Sequence, residues 1–111
     1  MSMLSWIADR FTKGGKAMSL YKRGMAKAKN HDHDGAIEDY TAAMGVSDAS
    51  SEIKAMTLYN RALAYTAAGQ NPKAADDLNK VLNAPESLIN IKTMARQKLA
   101  RMETKTRMGS K

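Results

Sequence analysis

Along most of this chain apolar residues return every three or four positions, the spacing of one face of an α-helix, and short polar clusters interrupt them. Leu20, Gly24 and Ala28 define a helix over about residues 17–30, which the turn-type residues 31–35 end. Ile37, Tyr40 and Met44 place a second helix at about 34–44, followed by a polar link at 46–51. Ser50 or Ser51 is the expected N-cap of a third helix carrying Leu58, Ala62 and Tyr65, and Gly69 is suited to the position just past its C-terminus. Pro72 fits the first turn of a fourth helix with Ala74, Leu78, Val81 and Leu82, which Ala84 and Pro85 stop. Beyond Glu86, Leu88, Ile91, Ala95, Leu99 and Met102 form the apolar stripe of a last helix at about 87–104, with Lys92, Arg96, Lys98 and Arg101 on its other face. From about Lys105 a basic, disordered tail is expected. At the other end Met3, Leu4, Ile7, Ala8 and Phe11 make a one-sided stripe over residues 1–16, with Trp6 beside it and Gly14-Gly15 as a hinge.

The first and third helices are near-copies. Residues 17–26 align with 55–64 at an offset of 38, and six of the ten pairs are identical. The same offset superposes Ala36 on Ala74 and Asp39 on Asp77, so it persists into the second helix of each pair. The chain therefore reads as two helical hairpins, at about 17–50 and 55–87.

On those residues the sequence resembles the tetratricopeptide repeat family, whose units of roughly 34 residues are helix-turn-helix hairpins with small residues at close interhelical contacts. The pattern falls on Leu58, Ala62, Tyr65, Ala74, Leu78 and Val81 in the second copy, with Pro85 close to the family's terminal proline. In the first it falls on Leu20, Gly24, Ala36, Tyr40 and Ala43, and Lys27 stands where an aromatic is expected. Small residues serve at such places because a larger side chain would push the helices apart. The resemblance implies an all-α, short helical-hairpin solenoid. Because each repeat leaves an apolar face that a neighbour must cover, the last helix is read as its cap.

The amino-acid inventory narrows the chemistry. A chain of 111 residues makes one small domain, and without cysteine it has no disulfide, thiolate ligand or thiol nucleophile. Its net charge of +7 is unevenly spread: residues 1–30 hold seven basic residues and one acidic, residues 31–50 five acidic and no basic, and residues 91–111 again seven basic and one acidic. Such a balance favours anionic partners in general. No stretch approaches the roughly 18 apolar residues of a membrane span, and Asp9 and Arg10 break the N-terminal apolar run before it resembles a secretory signal, so a cytoplasmic address is expected.

Catalytic signatures are missing: no Ser/His/Asp set or Gly-rich phosphate loop is spaced for use, so no enzyme, cofactor or small-molecule substrate is expected. Asn30, Asp32, Asp34, Gly35 and Ile37 match the opening of a calcium-binding EF-hand loop, but Thr41 replaces the bidentate glutamate at its twelfth position. A solvated turn with acidic residues at a helix N-terminus is the preferred reading. The pair His31 and His33 does not by itself assemble a metal shell.

The resemblance also points to a binding surface. In tetratricopeptide repeats the first helix of each unit lines a concave groove, which here implies Met18, Tyr21 and Met25 with Met56, Tyr59 and Leu63. Methionine and tyrosine suit capture of a helix or extended peptide, yet spacing alone leaves open whether these residues are groove or core. Some members grip an acidic C-terminus through a carboxylate clamp. Asn60, Lys92 and Arg96 match part of it, while Tyr21 and Met25 replace its first-repeat residues. Taking Ala95 as the small position of the last helix would turn Lys92 and Arg96 away from that clamp.

The expectation is a non-enzymatic adaptor that binds a protein or peptide, acidic in the clamp reading. Its alternative is a basic surface for nucleic acid or an anionic membrane at the charged ends. Nucleic acid is the less favoured of these, because no aromatic follows residue 65 to stack on bases. The N-terminal stripe could cap the first repeat, fill the groove or lie on a membrane, and end-to-end stacking could produce a homodimer.

Overall fold

A computed structural model describes residues 15–109, without the side chain of Ser87. All regular structure among these residues is helical: α1 (Gly15–Lys29), α2 (His33–Met44), α3 (Ser51–Ala67), α4 (Asn71–Leu82), a 3-10 turn (Glu86–Leu88) and α5 (Ile89–Gly109). The apolar stripe and hinge assigned to residues 1–14 lie outside the described residues, and Gly15 is already helical. The expected loosening at Lys105 does not occur, since α5 continues to Gly109. No helix breaker stands between Pro85 and Gly109, so backbone propensity carries the helix beyond the end of its apolar stripe.

The two hairpin turns use the same hydrogen bonds. After α1, the N–H of His31 donates to Ala28 O and that of Asp32 to Lys27 O. After α3, Gly69 donates to Thr66 O and Gln70 to Tyr65 O, the equivalent pair at the offset of 38. Both are Schellman turns, whose pivot residue must adopt a left-handed backbone; Gly69 has φ 81° and His31 φ 65°. Asp32 then caps α2 through a bond from Gly35 N to its Oδ1, and Ser50 caps α3 through a bond from Ile53 N.

Each first helix packs on its own second helix, α1 on α2 and α3 on α4; α2 then packs on α3, and α4 on α5. Equivalent alanines are buried at the seams, Ala17 with Ala55 and Ala36 with Ala74. In the first hairpin Gly24 lies under the ring of Tyr40, and a Cβ built there would come within 2.6 Å of Cε1. The second hairpin has Ala62 and the smaller Leu78 at the same two positions, both fully buried.

The core forms two clusters. Tyr21, Ala36, Tyr40 and Ala64 centre one, with Met18, Ile37 and Met56 against it. Leu58, Ala62, Ala74, Leu78, Val81 and Ala95 centre the other. Ile91, Leu99 and Met102 close this second cluster from α5, so the last helix covers the face that α3 and α4 leave.

Candidate functional site

The residues assigned to a groove divide into a buried or half-buried set and an exposed pair. Tyr21, only 6% exposed, packs its ring against Tyr40 at 6.0 Å between centroids, which makes it core. Met18 and Met56 are half-buried against the same cluster, and Tyr59 is half-buried against the other. Met25 and Leu63, at equivalent positions of α1 and α3, remain 42% and 36% exposed. Of the six positions, the inner members therefore hold the fold and only Met25 and Leu63 meet solvent extensively.

Asn60 ties the two helices together. Its amide donates to Tyr21 Oη at 3.0 Å and to Met56 O at 2.9 Å, so one side chain joins α1 to α3 and fixes its own rotamer. Such a bond contributes about 1 kcal/mol net. Burial pushes the Tyr21 hydroxyl up from its usual pKa, which keeps it neutral in this role. Tyr40 is pushed up to about 12, by burial first and then by the neighbouring Tyr21 and Asp39.

Two buried carboxylates are paired with arginines of the first helices. In the first hairpin Asp39 accepts from Arg23 Nε at 3.0 Å and from its second guanidinium nitrogen at 2.9 Å, and Lys27 Nζ stands 3.1 Å away. In the second, Asp77 accepts from Arg61 at 2.8 Å on each oxygen. Hydrogen bonding by Arg23 holds the Asp39 carboxyl below its usual range against the opposing effect of burial. The hydrogen bond to Asp77 raises the already high pKa of Arg61. The environments differ: the Arg61 side chain is 13% exposed, that of Arg23 62%. Arg61 also donates to Thr41 Oγ1 at 3.0 Å and lies over the ring of Tyr65, 5.5 Å from its centroid. Lys27 occupies the position equivalent to Tyr65, so an ion pair in one hairpin corresponds to a cation–π contact in the other.

The clamp candidates separate. Lys92 is 5% exposed, and its ammonium donates to Ala84 O at 2.8 Å and to Glu86 Oε2 at 3.0 Å. It fastens α5 to the segment after α4 and is withdrawn from any ligand. Ala95 is the fully buried small residue of α5, which turns Arg96 outward to solvent. Asn60 is likewise committed to Tyr21 and Met56. The clamp matched three residue types, and the structure does not assemble them as one anion-facing set.

The segment that opened like an EF-hand is spent on the turn. Asp32 caps α2, His31 is the left-handed pivot, and the His31 and His33 rings meet edge-on at 6.0 Å. Among the described residues no group of three or more His, Cys, Asp or Glu could hold a metal ion. Nor, among them, is any helix long and apolar enough to cross a membrane. The sequence signals the Arg–Asp pairs only through identical Arg and Asp residues at the common offset, Arg23 with Arg61 and Asp39 with Asp77.

No family model, curated protein or solved structure matches the chain.

Proposed function

We propose that this chain is a non-enzymatic interaction module of tetratricopeptide-repeat type, a short hairpin solenoid that receives a helix or extended peptide across α1 and α3. The observation that carries this reading is the pair Met25 and Leu63, exposed apolar residues at equivalent positions above a floor locked by the Tyr21–Asn60 bond. Equivalent rims offer successive contacts to one elongated partner, and methionine adapts to irregular apolar side chains. Arg96 is the clamp candidate that is exposed and would favour an acidic end on that partner.

Peptides selected by display against the full chain provide the test. Met25→Glu with Leu63→Glu should weaken the selected peptides more than about tenfold, because two desolvated apolar contacts are lost, each worth about 1 kcal/mol or more. Both positions are exposed, so the thermal midpoint should hold. Peptides that bind the double variant unchanged, or whose amide shift changes fall on α2 and α4, would overturn the assignment.

A further inference from the structure

Independently of that surface, we propose that the cavity between the α3–α4 turn and α5 is an anion site for a phosphoryl group carrying more than one negative charge. The cavity measures about 500 Å³, within the roughly 300–1,000 Å³ of small-molecule sites. Lys98, Arg101 and Lys105 line one wall, Gly69 and Asn71 the opposite one, and Thr106 stands at the same wall as the cations. No carboxylate is among the lining residues.

The placement follows from the packing. Ala95, Leu99 and Met102 bury one stripe of α5 against the second core cluster, and this fixes the rotation of the helix. Lys98, Arg101 and Lys105 recur at spacings of three and four, so they share one edge of the helix, beside Met102 and facing the turn. Among the described residues none of the three forms an ion pair. Three like charges converging on one hollow repel one another, and an anion between them removes that repulsion. A single carboxylate would leave surplus positive charge. A phosphomonoester or diphosphate matches the charge better, and Arg101 can meet two of its oxygens with one planar fork. The first turn of α4, beginning at Asn71, adds the positive end of a helix on the other wall. Gly69, at φ 81°, keeps that wall free of a side chain.

Soluble phosphate compounds and phospholipid headgroups share this chemistry, and two arms separate them. In the first, the full chain is titrated with inorganic pyrophosphate at moderate salt while amide shifts are followed. Saturable shifts centred on residues 69–73 and 98–106 are expected. Arg101→Gln with Lys105→Gln should weaken the affinity about tenfold or more, since two charge-assisted hydrogen bonds to the anion are lost. Lys22→Gln with Lys29→Gln removes the same net charge from exposed positions of α1 and should leave the affinity within about twofold. In the second arm, vesicles of phosphatidylcholine with and without phosphatidic acid are sedimented with the same three proteins. Retention that needs both the acid lipid and the α5 cations assigns a headgroup, and pyrophosphate binding alone assigns a soluble ligand. Equal loss in the two double variants, or shifts spread over every basic helix without saturation, would mean a diffuse counterion atmosphere and would overturn the site.

Discussion

The contact of Gly24 with Tyr40 offers the most direct measure of how these hairpins are fitted. Replacing Gly24 by Ala has two opposed effects. Alanine is the better helix former by about 0.5–1 kcal/mol. Its Cβ, however, would stand 2.6 and 2.7 Å from two ring carbons of Tyr40, a residue only 1% exposed and packed against Tyr21. Overpacking of a core costs about 1–3 kcal/mol, and a buried ring without room to move belongs in the upper part of that range. We expect a net loss of about 1–2 kcal/mol. In a Tyr40→Leu background, which reproduces the Ala62 and Leu78 pair of the second hairpin, the obstruction is gone and Gly24→Ala should stabilise by about 0.5–1 kcal/mol. The sign reversal is the result to seek. Urea unfolding followed by circular dichroism on the four proteins of the cycle gives the coupling directly, provided the slope with denaturant is unchanged. A Gly24→Ala effect of equal size and sign in both backgrounds would refute the packing argument.

Two further outcomes follow from the polar interior. Asp77→Asn should cost more than Asp39→Asn, about 3 kcal/mol against roughly 1, because Arg61 is held away from water whereas Arg23 can return to it; urea midpoints of the two variants rank them. In alkali, burial pushes the Tyr40 hydroxyl up to about 12 from its usual value, so its contribution is complete below that usual value and is lost as pH rises through about 12. Stability should therefore fall across that window with tyrosinate absorbance, and Tyr40→Phe should flatten the fall.

Helical periodicity located the elements well because the interruptions are chemically distinct: Ser50, Gly69, Pro72 and Pro85 each stop or start a helix for a local reason. The offset of 38 made the close positions Gly24 and Ala62 legible before any coordinates, since a repeated small residue marks a repeated contact. What periodicity could not supply was depth. Spacing says that Met18, Tyr21 and Met25 share a face; whether Tyr21 lies under Asn60 or open to a ligand depends on how closely α1 and α3 approach. Lys92 shows the same limit. A cation beside an apolar stripe is normally solvated, and only the positions of Ala84 O and Glu86 make its burial favourable. His31 is legible as a turn residue, but that it, rather than a glycine, takes the left-handed pivot is not. The α5 cations were legible as a charged face, but their convergence on the α3–α4 turn is a property of the tertiary fold.

The unequal seams of the two hairpins bear on how so repetitive a chain finds its partners. With the same Arg and Asp at matching places, ion pairing alone would let α1 take the place of α3 against α4, or α3 the place of α1 in the Gly24–Tyr40 seam, almost as readily as the native pairing. Size forbids the exchange: glycine facing leucine leaves a hollow, and alanine facing tyrosine collides. The chain thus carries a lock-and-key distinction between its own halves, and a variant that equalised the two pairs should fold into mixtures with crossed helices while keeping every charge it began with.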